Sequence, residues 1–183
     1  MSIFFTADLH FGHKSILDFE SENRGHYSSV EEMDADMIKR WNEMISEEDI
    51  VYYLGDFAFK SKKQDIIGYL EKLNFKEMVC VFGNHDNKSF RDAIKHFSNI
   101  EGKWADRLKV DGKILYLSHF PMAIGERKGL WSLHGHLHST ESPNPNYQIN
   151  VGFDFTGQIA MSMEEVLRAT EYLEDTKRGM RYL

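Results

Sequence analysis

Residues 78–86 have the sequence MVCVFGNHD, in which a short apolar run ends in a polar turn. Five consecutive apolar residues, rich in β-branched and aromatic side chains, are typical of a buried strand. The turn after them carries the amide of Asn84, the imidazole of His85 and the carboxylate of Asp86. This stretch predicts a strand that ends at a group of chemically reactive side chains.

Four other places in the chain repeat this pattern. Strand-like apolar runs also occupy residues 3–6, 50–54, 114–117 and 130–133, and a sixth run occupies residues 149–151. The polar blocks that follow the first four are Asp8-Leu9-His10, Gly55-Asp56, Ser118-His119 and His134-Gly135-His136-Leu137-His138. In α/β folds, ligands bind beyond the carboxyl ends of the strands. The five polar blocks are therefore expected to converge on one site.

Helical patterns separate these runs. Ser29 and Glu32 resemble a capping box at the start of a helix that extends to Ile45, and Ser162 and Glu165 resemble another that opens a helix towards Leu173. A third helix is predicted around residues 66–73 from its apolar spacing. Alternating strands and helices predict an α/β fold with helices outside the sheet or sheets.

Length and charge limit the classes of function. The 183 residues suit one domain, residues 1–183, and the net charge of −7 disfavours a broad grip on long nucleic acid or an anionic membrane. The longest apolar runs are far too short to cross a bilayer, so no membrane partner is expected. A single cysteine, Cys80, and an N-terminus without a basic leader favour a cytoplasmic protein. The oligomeric state stays open.

Seven of the nine histidines lie in or just beside the polar blocks, which points to metal chemistry. The candidate metal ligands are Asp8, His10, Asp56, Asn84, His119, His136 and His138. Imidazole, carboxylate and amide ligands suit Mn, Fe, Co, Ni or Zn, while one cysteine excludes a thiolate site. Seven ligands exceed the need of one ion, so the set predicts two divalent metal ions, with manganese as the leading candidate. Two such ions can bind opposite oxygens of a phosphoryl group.

The five blocks, in this order, resemble the motifs of the calcineurin-like metallophosphoesterases, and they span most of the chain. The resemblance implies a four-layer α-β-β-α sandwich. It also implies that Asp8, His10 and His138 hold one metal and that Asn84, His119 and His136 hold the other. Asp56 would bridge the two ions, and a hydroxide between them would attack phosphorus. His85 would be the catalytic residue that contacts the substrate and protonates the leaving oxygen.

Two departures from the protein Ser/Thr phosphatase branch narrow this resemblance. Phe57 follows Gly55-Asp56 where that branch continues towards Asp-Arg-Gly, and Phe82 stands where that branch has Arg. The carboxylate that orients the catalytic histidine in that branch is therefore missing here. The short chain is more similar to the small bacterial and phage phosphoesterases.

Several other polar residues are not assigned as metal ligands. His13 could contact substrate or support the metal ligands, and His134 is expected to serve in packing. Arg24, His26, Arg127 and Lys128 could reach a phosphate, but solvated loop charges are the preferred interpretation. Asp86 is expected to brace its loop through hydrogen bonds.

The leading function is hydrolysis of a small phosphate ester, either a phosphodiester or a nucleotide-like compound. The first alternative is a nuclease that trims nucleic-acid ends, which a steep loss of activity with salt would favour. The second is a non-catalytic, metal-stabilised binding scaffold, which would have no need of His85.

Overall fold

The computed structural model describes residues 1–180. The strands are β1 (Ile3–Thr6), β2 (Ile50–Tyr53), β3 (Glu77–Val81), β4 (Ile100–Lys103), β5 (Asp106–Val110), β6 (Lys113–Leu117), β7 (Leu130–His134), β8 (Gln148–Asn150) and β9 (Met161–Ser162). The helices are α1 (Ile16–Phe19), α2 (Ser21–Arg24), α3 (Val30–Met44), α4 (Lys63–Leu70), α5 (Lys88–Ile94), α6 (Phe153–Thr156) and α7 (Met163–Met180).

The strands form two sheets. The first has five strands in the order β4-β3-β2-β1-β9, in which β1 to β4 are parallel and β9 is antiparallel to β1. The second has four strands in the order β5-β6-β7-β8, in which β5 and β6 form a hairpin and the other pairs are parallel. Two sheets rich in parallel pairs and flanked by helices confirm the predicted α/β sandwich.

Two apolar clusters hold these layers together. On one face of the first sheet, Trp41 of α3 and Leu70 of α4 share a cluster with Val51 of β2. The opposite face of this sheet contributes Phe5 and Val81 to a second cluster. That cluster also contains Leu115, Leu117, Trp131 and Leu133 of the second sheet and Val166 of α7. Removal of this apolar surface from water stabilises the contact between the sheets.

The loops beyond the strand ends stay hydrogen-bonded to one another. After β1 and β2, the Asp8 amide donates to Gly55 O and the Phe11 amide donates to Phe57 O. After β6 and β7, the Gly135 amide donates to His119 O at 3.1 Å. These bonds hold the polar blocks together within each sheet, and the His136 amide, which donates to Asp8 Oδ2 at 2.8 Å, joins the blocks of the two sheets.

All six predicted strands are present, with ends displaced by one residue in several cases. Strands β4, β5 and β9 were not predicted. Strand β9 is only two residues long and exists because it pairs with β1, so it has no local signal.

In the described residues, no helix is both long enough and apolar enough to span a membrane.

The three predicted helices are also present, and their caps differ. At α7, the Glu165 amide donates to Ser162 Oγ, and the Ser162 amide donates to the Glu165 carboxylate, so the capping box is complete. At α3, Ser29 Oγ accepts from the Glu32 amide, but the Glu32 carboxylate accepts from Ser28 instead of Ser29. Helix α5 was not predicted; Asn87 caps it by accepting from the amides of Ser89 and Phe90.

Candidate metal centre

Five candidate residues have left-handed backbone conformations, which cost a non-glycine residue roughly 1–2 kcal/mol each. Their φ values are 61° for Asp8, 53° for His10, 59° for Asp56, 69° for His136 and 47° for His138. Such strain persists only where the surrounding structure enforces it, and it concentrates at functional sites.

Residues 136–138 are not part of a strand. A strand would place His136 and His138 on one face, but β7 ends at His134 and both residues lie in the following loop. Their positive φ values, and not strand alternation, direct the two rings into the site. The last strand residue, His134, is buried and bonds Ser142 Oγ through Nε2, so its predicted packing role is confirmed.

The candidate ligand atoms form two groups. Asp8, His10 and His138 form the first, and Asp56, His119 and His136 form the second. Within each group, one donor atom per residue lies within 4.8 Å of the others. Asn84 joins the second group, since its Oδ1 is 3.0 Å from His119 Nε2. The fold therefore brings all seven predicted residues together.

Asp56 lies between the two groups. Its Oδ2 is 3.6 Å from His10 Nε2 in the first group and 3.3 Å from His119 Nε2 in the second. Its Oδ1 accepts a hydrogen bond of 2.8 Å from the His85 amide, which holds the carboxylate in this orientation. Burial pushes the pKa of Asp56 upward, but hydrogen bonding and the charges of His119 and His10 outweigh it and hold the pKa at about 2.

The protonation behaviour of this cluster fits bound divalent cations. Asp8 Oδ1 and both ring nitrogens of His10 are buried, and no described residue bonds them. Burial raises the pKa of Asp8 to about 7 and lowers the pKa of His10 well below its usual range. A buried carboxylate is costly without a compensating positive charge, and the neutral form of imidazole is the one that ligates metals. Cations between these groups would satisfy both.

Neighbouring groups orient the candidate ligands. His119 Nδ1 is 2.8 Å from Leu54 O, and a proton on Nδ1 would donate to this carbonyl and leave Nε2 free to bind a metal. Asp86 accepts from the amides of Asp56, Phe57 and Gly83, so it braces the loops after β2 and β3, as predicted.

The surroundings of His85 differ from those of a carboxylate-oriented histidine. Among the described residues, no carboxylate accepts a hydrogen bond from its ring, and Asp56 Oδ2 lies 3.9 Å from its Nε2. The ring instead packs against Phe59, with centroids 5.0 Å apart, and against His10 at 5.3 Å. Packing and the backbone therefore hold the ring of His85. The sequence predicts no carboxylate partner for it.

Comparison with known proteins identifies the family. The profile of the calcineurin-like phosphoesterases matches residues 1–171. The chain belongs to the calcineurin-like phosphoesterase family. An uncharacterised protein of Methanocaldococcus jannaschii is 30% identical over 180 residues, covering 92% of this chain and 91% of that protein. The Gene 66 protein of Mycobacterium phage L5 is 29% identical and covers 93% of this chain and 95% of its own length.

A solved structure supports the fold. The protein of unknown function from Aquifex aeolicus has a TM-score of 0.72 and 22% identity, with 91% of this chain and 98% of that chain covered. Family membership implies that this phosphoesterase uses divalent metal ions to hydrolyse phosphoric esters. The two groups of potential ligands described above agree with that chemistry.

Sequence reasoning missed two buried residues of this phosphoesterase. Asp154 is buried; its Oδ2 lies 2.8 Å from His138 Nδ1, and its carboxylate pairs with Arg24. Both interpretations of Arg24 were wrong, because its side chain is fully buried and is neither a solvated loop charge nor open to a phosphate. Asp154 had a usable signal, since it follows the sixth predicted strand as the other polar blocks follow theirs.

The other polar residues considered in the sequence lie beside the ligand groups or on the surface. The ring of His13 stacks on Phe59 with centroids 3.7 Å apart, beside the first group of ligands. His26, Arg127 and Lys128 are exposed, which agrees with the preferred interpretation as solvated charges. A third cluster, Glu20 with His138 and Asp154, shares His138 with the first group.

Proposed function

We propose that this phosphoesterase binds two divalent cations in adjoining sites. Asp8, His10 and His138 would hold one cation, and Asn84, His119 and His136 the other. The observation that carries this proposal is the position of Asp56 Oδ2, within 3.6 Å of a ligand nitrogen from each group. When bound, two such cations neutralise phosphoryl oxygens and lower the pKa of water.

The proposed catalytic residue is His85. Its backbone amide donates to Asp56, so its loop is tied to the metal ligands, while its side chain is 39% exposed and reaches solvent at the site. A histidine in this position can donate a proton to the leaving oxygen as the phosphorus–oxygen bond breaks. The His85 ring packs against Phe59 at an interplanar angle of 63°.

The proposed substrate is a small phosphodiester or nucleotide-like ester, and aromatic rings around the ligand groups support it. Phe19 is 74% exposed and its ring lies 6.2 Å from that of His13, which stacks on Phe59. Across the site, Phe120 is 50% exposed and lies 4.5 Å from the ring of His136. Exposed aromatic side chains stack on nucleobases, with about 1–3 kcal/mol per base.

Cleavage of nucleic-acid ends is the second candidate function, and a groove beside the His85 loop favours it. The groove has a volume of about 550 Å³ and is lined by Lys88, Arg91 and Lys95. Arg91 Nη1 donates to Asp86 O, which connects the groove with the loop. Asp92 forms ion pairs with both lysines and offsets part of the charge, so the small ester remains the preferred substrate.

A hydrolysis screen tests the proposed function. Purified protein loaded with Mn²⁺, Fe²⁺, Co²⁺, Ni²⁺ or Zn²⁺ is assayed on phosphomonoesters, phosphodiesters, cyclic nucleotides and short oligonucleotides. We expect the diesters and nucleotide esters to be hydrolysed fastest and Mn²⁺ to be the best metal. Equal rates with and without a chelator would contradict metal dependence, and a steep loss of activity with salt would favour the nuclease.

Replacement of the shared carboxylate tests the two-cation arrangement. We expect Asp56→Asn to lower kcat at least about 100-fold with every metal, because a neutral amide cannot bridge two cations. The matched control is Asp111→Asn, which makes the same change at an exposed turn residue. A variant at Asp56 that retained full turnover and two bound metals would refute the bridging role.

A further inference from the structure

Arg24 is a fully buried cation whose side chain is completely satisfied by the protein. Its Nε donates to Asp154 Oδ1 at 2.6 Å, and its Nη2 donates to Asp154 Oδ2 at 2.7 Å. Both side chains of this bidentate pair are 0% exposed. The residues are separated by 130 positions, so the pair joins α2 to α6.

The same guanidinium holds the loop that carries two candidate ligands. Nη2 also donates to Asp8 O at 2.6 Å, and Nη1 donates to Leu9 O at 2.8 Å. These carbonyls lie between the left-handed residues Asp8 and His10. Two charge-assisted hydrogen bonds to consecutive carbonyls can offset the strain of this loop and keep its shape.

Asp154 holds the third member of the same group. Its Oδ2 accepts from His138 Nδ1 at 2.8 Å, which leaves Nε2 for a metal. The carboxylate of Glu20 lies 4.0 Å from His138 Nδ1 and is too distant to hydrogen-bond. One buried ion pair therefore bonds the His138 ring and the carbonyls of Asp8 and Leu9, which directly precede His10, whereas the His119 ring bonds Leu54 O.

We propose that Arg24 and Asp154 are positioning residues that set the affinity of the first cation site, formed by Asp8, His10 and His138, and leave the second site unaffected. This inference depends on the two-cation arrangement proposed above. Carboxylates that orient ligating histidines change metal affinity about 10–100-fold when they are replaced.

The test is a titration of the metal-free, 183-residue protein with Mn²⁺, in which calorimetry and electron paramagnetic resonance measure the binding of the metal. The variants are Asp154→Asn and the double variant Arg24→Met/Asp154→Leu. The double variant removes both buried charges together and is therefore expected to fold even if a lone buried charge prevents the single variant from folding. Circular dichroism and cooperative unfolding confirm the fold of each protein.

In both variants, we expect one of the two Mn²⁺ equivalents to bind about 10–100-fold more weakly and the other to keep its wild-type affinity. Asp49→Asn is the control, because Asp49 bonds Ser2 and Ser46 away from the metal groups. Two unchanged affinities in the double variant, or equal weakening of both sites, would overturn the inference. Fewer than two Mn²⁺ equivalents in the wild type would instead overturn the two-cation proposal, and the inference with it.

Discussion

At the scale of single residues, His85 is proposed to act in proton transfer and not as a metal ligand, since its ring packs on Phe59 and His10 and only its backbone amide hydrogen-bonds Asp56. We expect His85→Ala to lower kcat about 10²–10⁴-fold for esters with alkyl leaving groups, which need a proton as they depart. The loss should be smaller for p-nitrophenyl esters, because nitrophenolate leaves without protonation. Steady-state kinetics on both kinds of ester measure this difference.

Metal content provides the second measurement on this variant. Elemental analysis should show the same amount of bound metal in His85→Ala as in the wild type, and His96→Ala is the matched control at an exposed histidine. Loss of metal from His85→Ala would show that His85 acts as a ligand and would refute its proposed separation from the metal groups.

At position 55, both the backbone conformation and the neighbouring atoms require glycine. Its φ is +97°, and a Cβ at this position would lie 2.5 Å from His119 Nδ1. We expect Gly55→Ala to displace the His119 ring, with loss of activity and a free-energy cost above that of backbone strain alone. Gly112→Ala is the control, since Gly112 has a φ of +73° and no atom within 4 Å of the added Cβ.

Unfolding in denaturant and activity assays of both variants distinguish the effect of Gly55→Ala from that of Gly112→Ala. The control should lose about 1–2 kcal/mol through backbone strain and keep its activity. If Gly55→Ala loses no more stability than Gly112→Ala and hydrolyses substrate normally, the close approach of His119 to Gly55 is not important.

At the scale of elements, a capping box encoded by nearby residues stabilises the N-terminus of α7. Ser162 Oγ accepts from the Glu165 amide at 3.3 Å, and the Glu165 carboxylate accepts from both the amide and the hydroxyl of Ser162. We expect Ser162→Ala to lower the free energy of unfolding by about 1 kcal/mol. Denaturant titration measures the change, and kcat should stay constant because the cap is outside the metal groups.

The control for this prediction is Ser139→Ala at an exposed loop position, which should change stability little. A Ser162→Ala protein as stable as the control would mean that packing of Val166 alone determines where α7 begins.

At the scale of the whole molecule, the second apolar cluster makes the two sheets interdependent. Leu115 of β6 is fully buried in the cluster that also contains Phe5 of β1. We expect Leu115→Ala to cost about 2–5 kcal/mol and to lower the Tm of one transition common to both sheets. Agreement between far-ultraviolet and near-ultraviolet melting curves checks this and tests the single-domain prediction for residues 1–183.

The control is Leu108→Ala at the partly buried edge strand β5, where less apolar surface is lost. Two separate transitions in the wild type, of which Leu115→Ala shifts only one, would contradict a single cooperative domain.

Much of the fold and of the candidate site was predictable because the sequence patterns that indicate them span only a few adjacent residues. An apolar run with a polar turn is encoded in a few adjacent residues, as at residues 78–86, and five such turns contain all seven candidate ligands. Strands such as β9 were not predictable, since two residues become a strand only by pairing with β1. Helix α5 was missed although Asn87 offers a capping signal.

The amino-acid sequence by itself determined the order of six strands and three helices and the chemistry of the site, because both depend on neighbouring residues. Only the tertiary structure decided that Arg24 is a buried partner of Asp154 and that Asp154 contacts His138. The physical reason is that ion pairs and metal groups join residues far apart in the chain. Their distances, and the left-handed loops that aim His136 and His138, exist only after the two sheets have packed together.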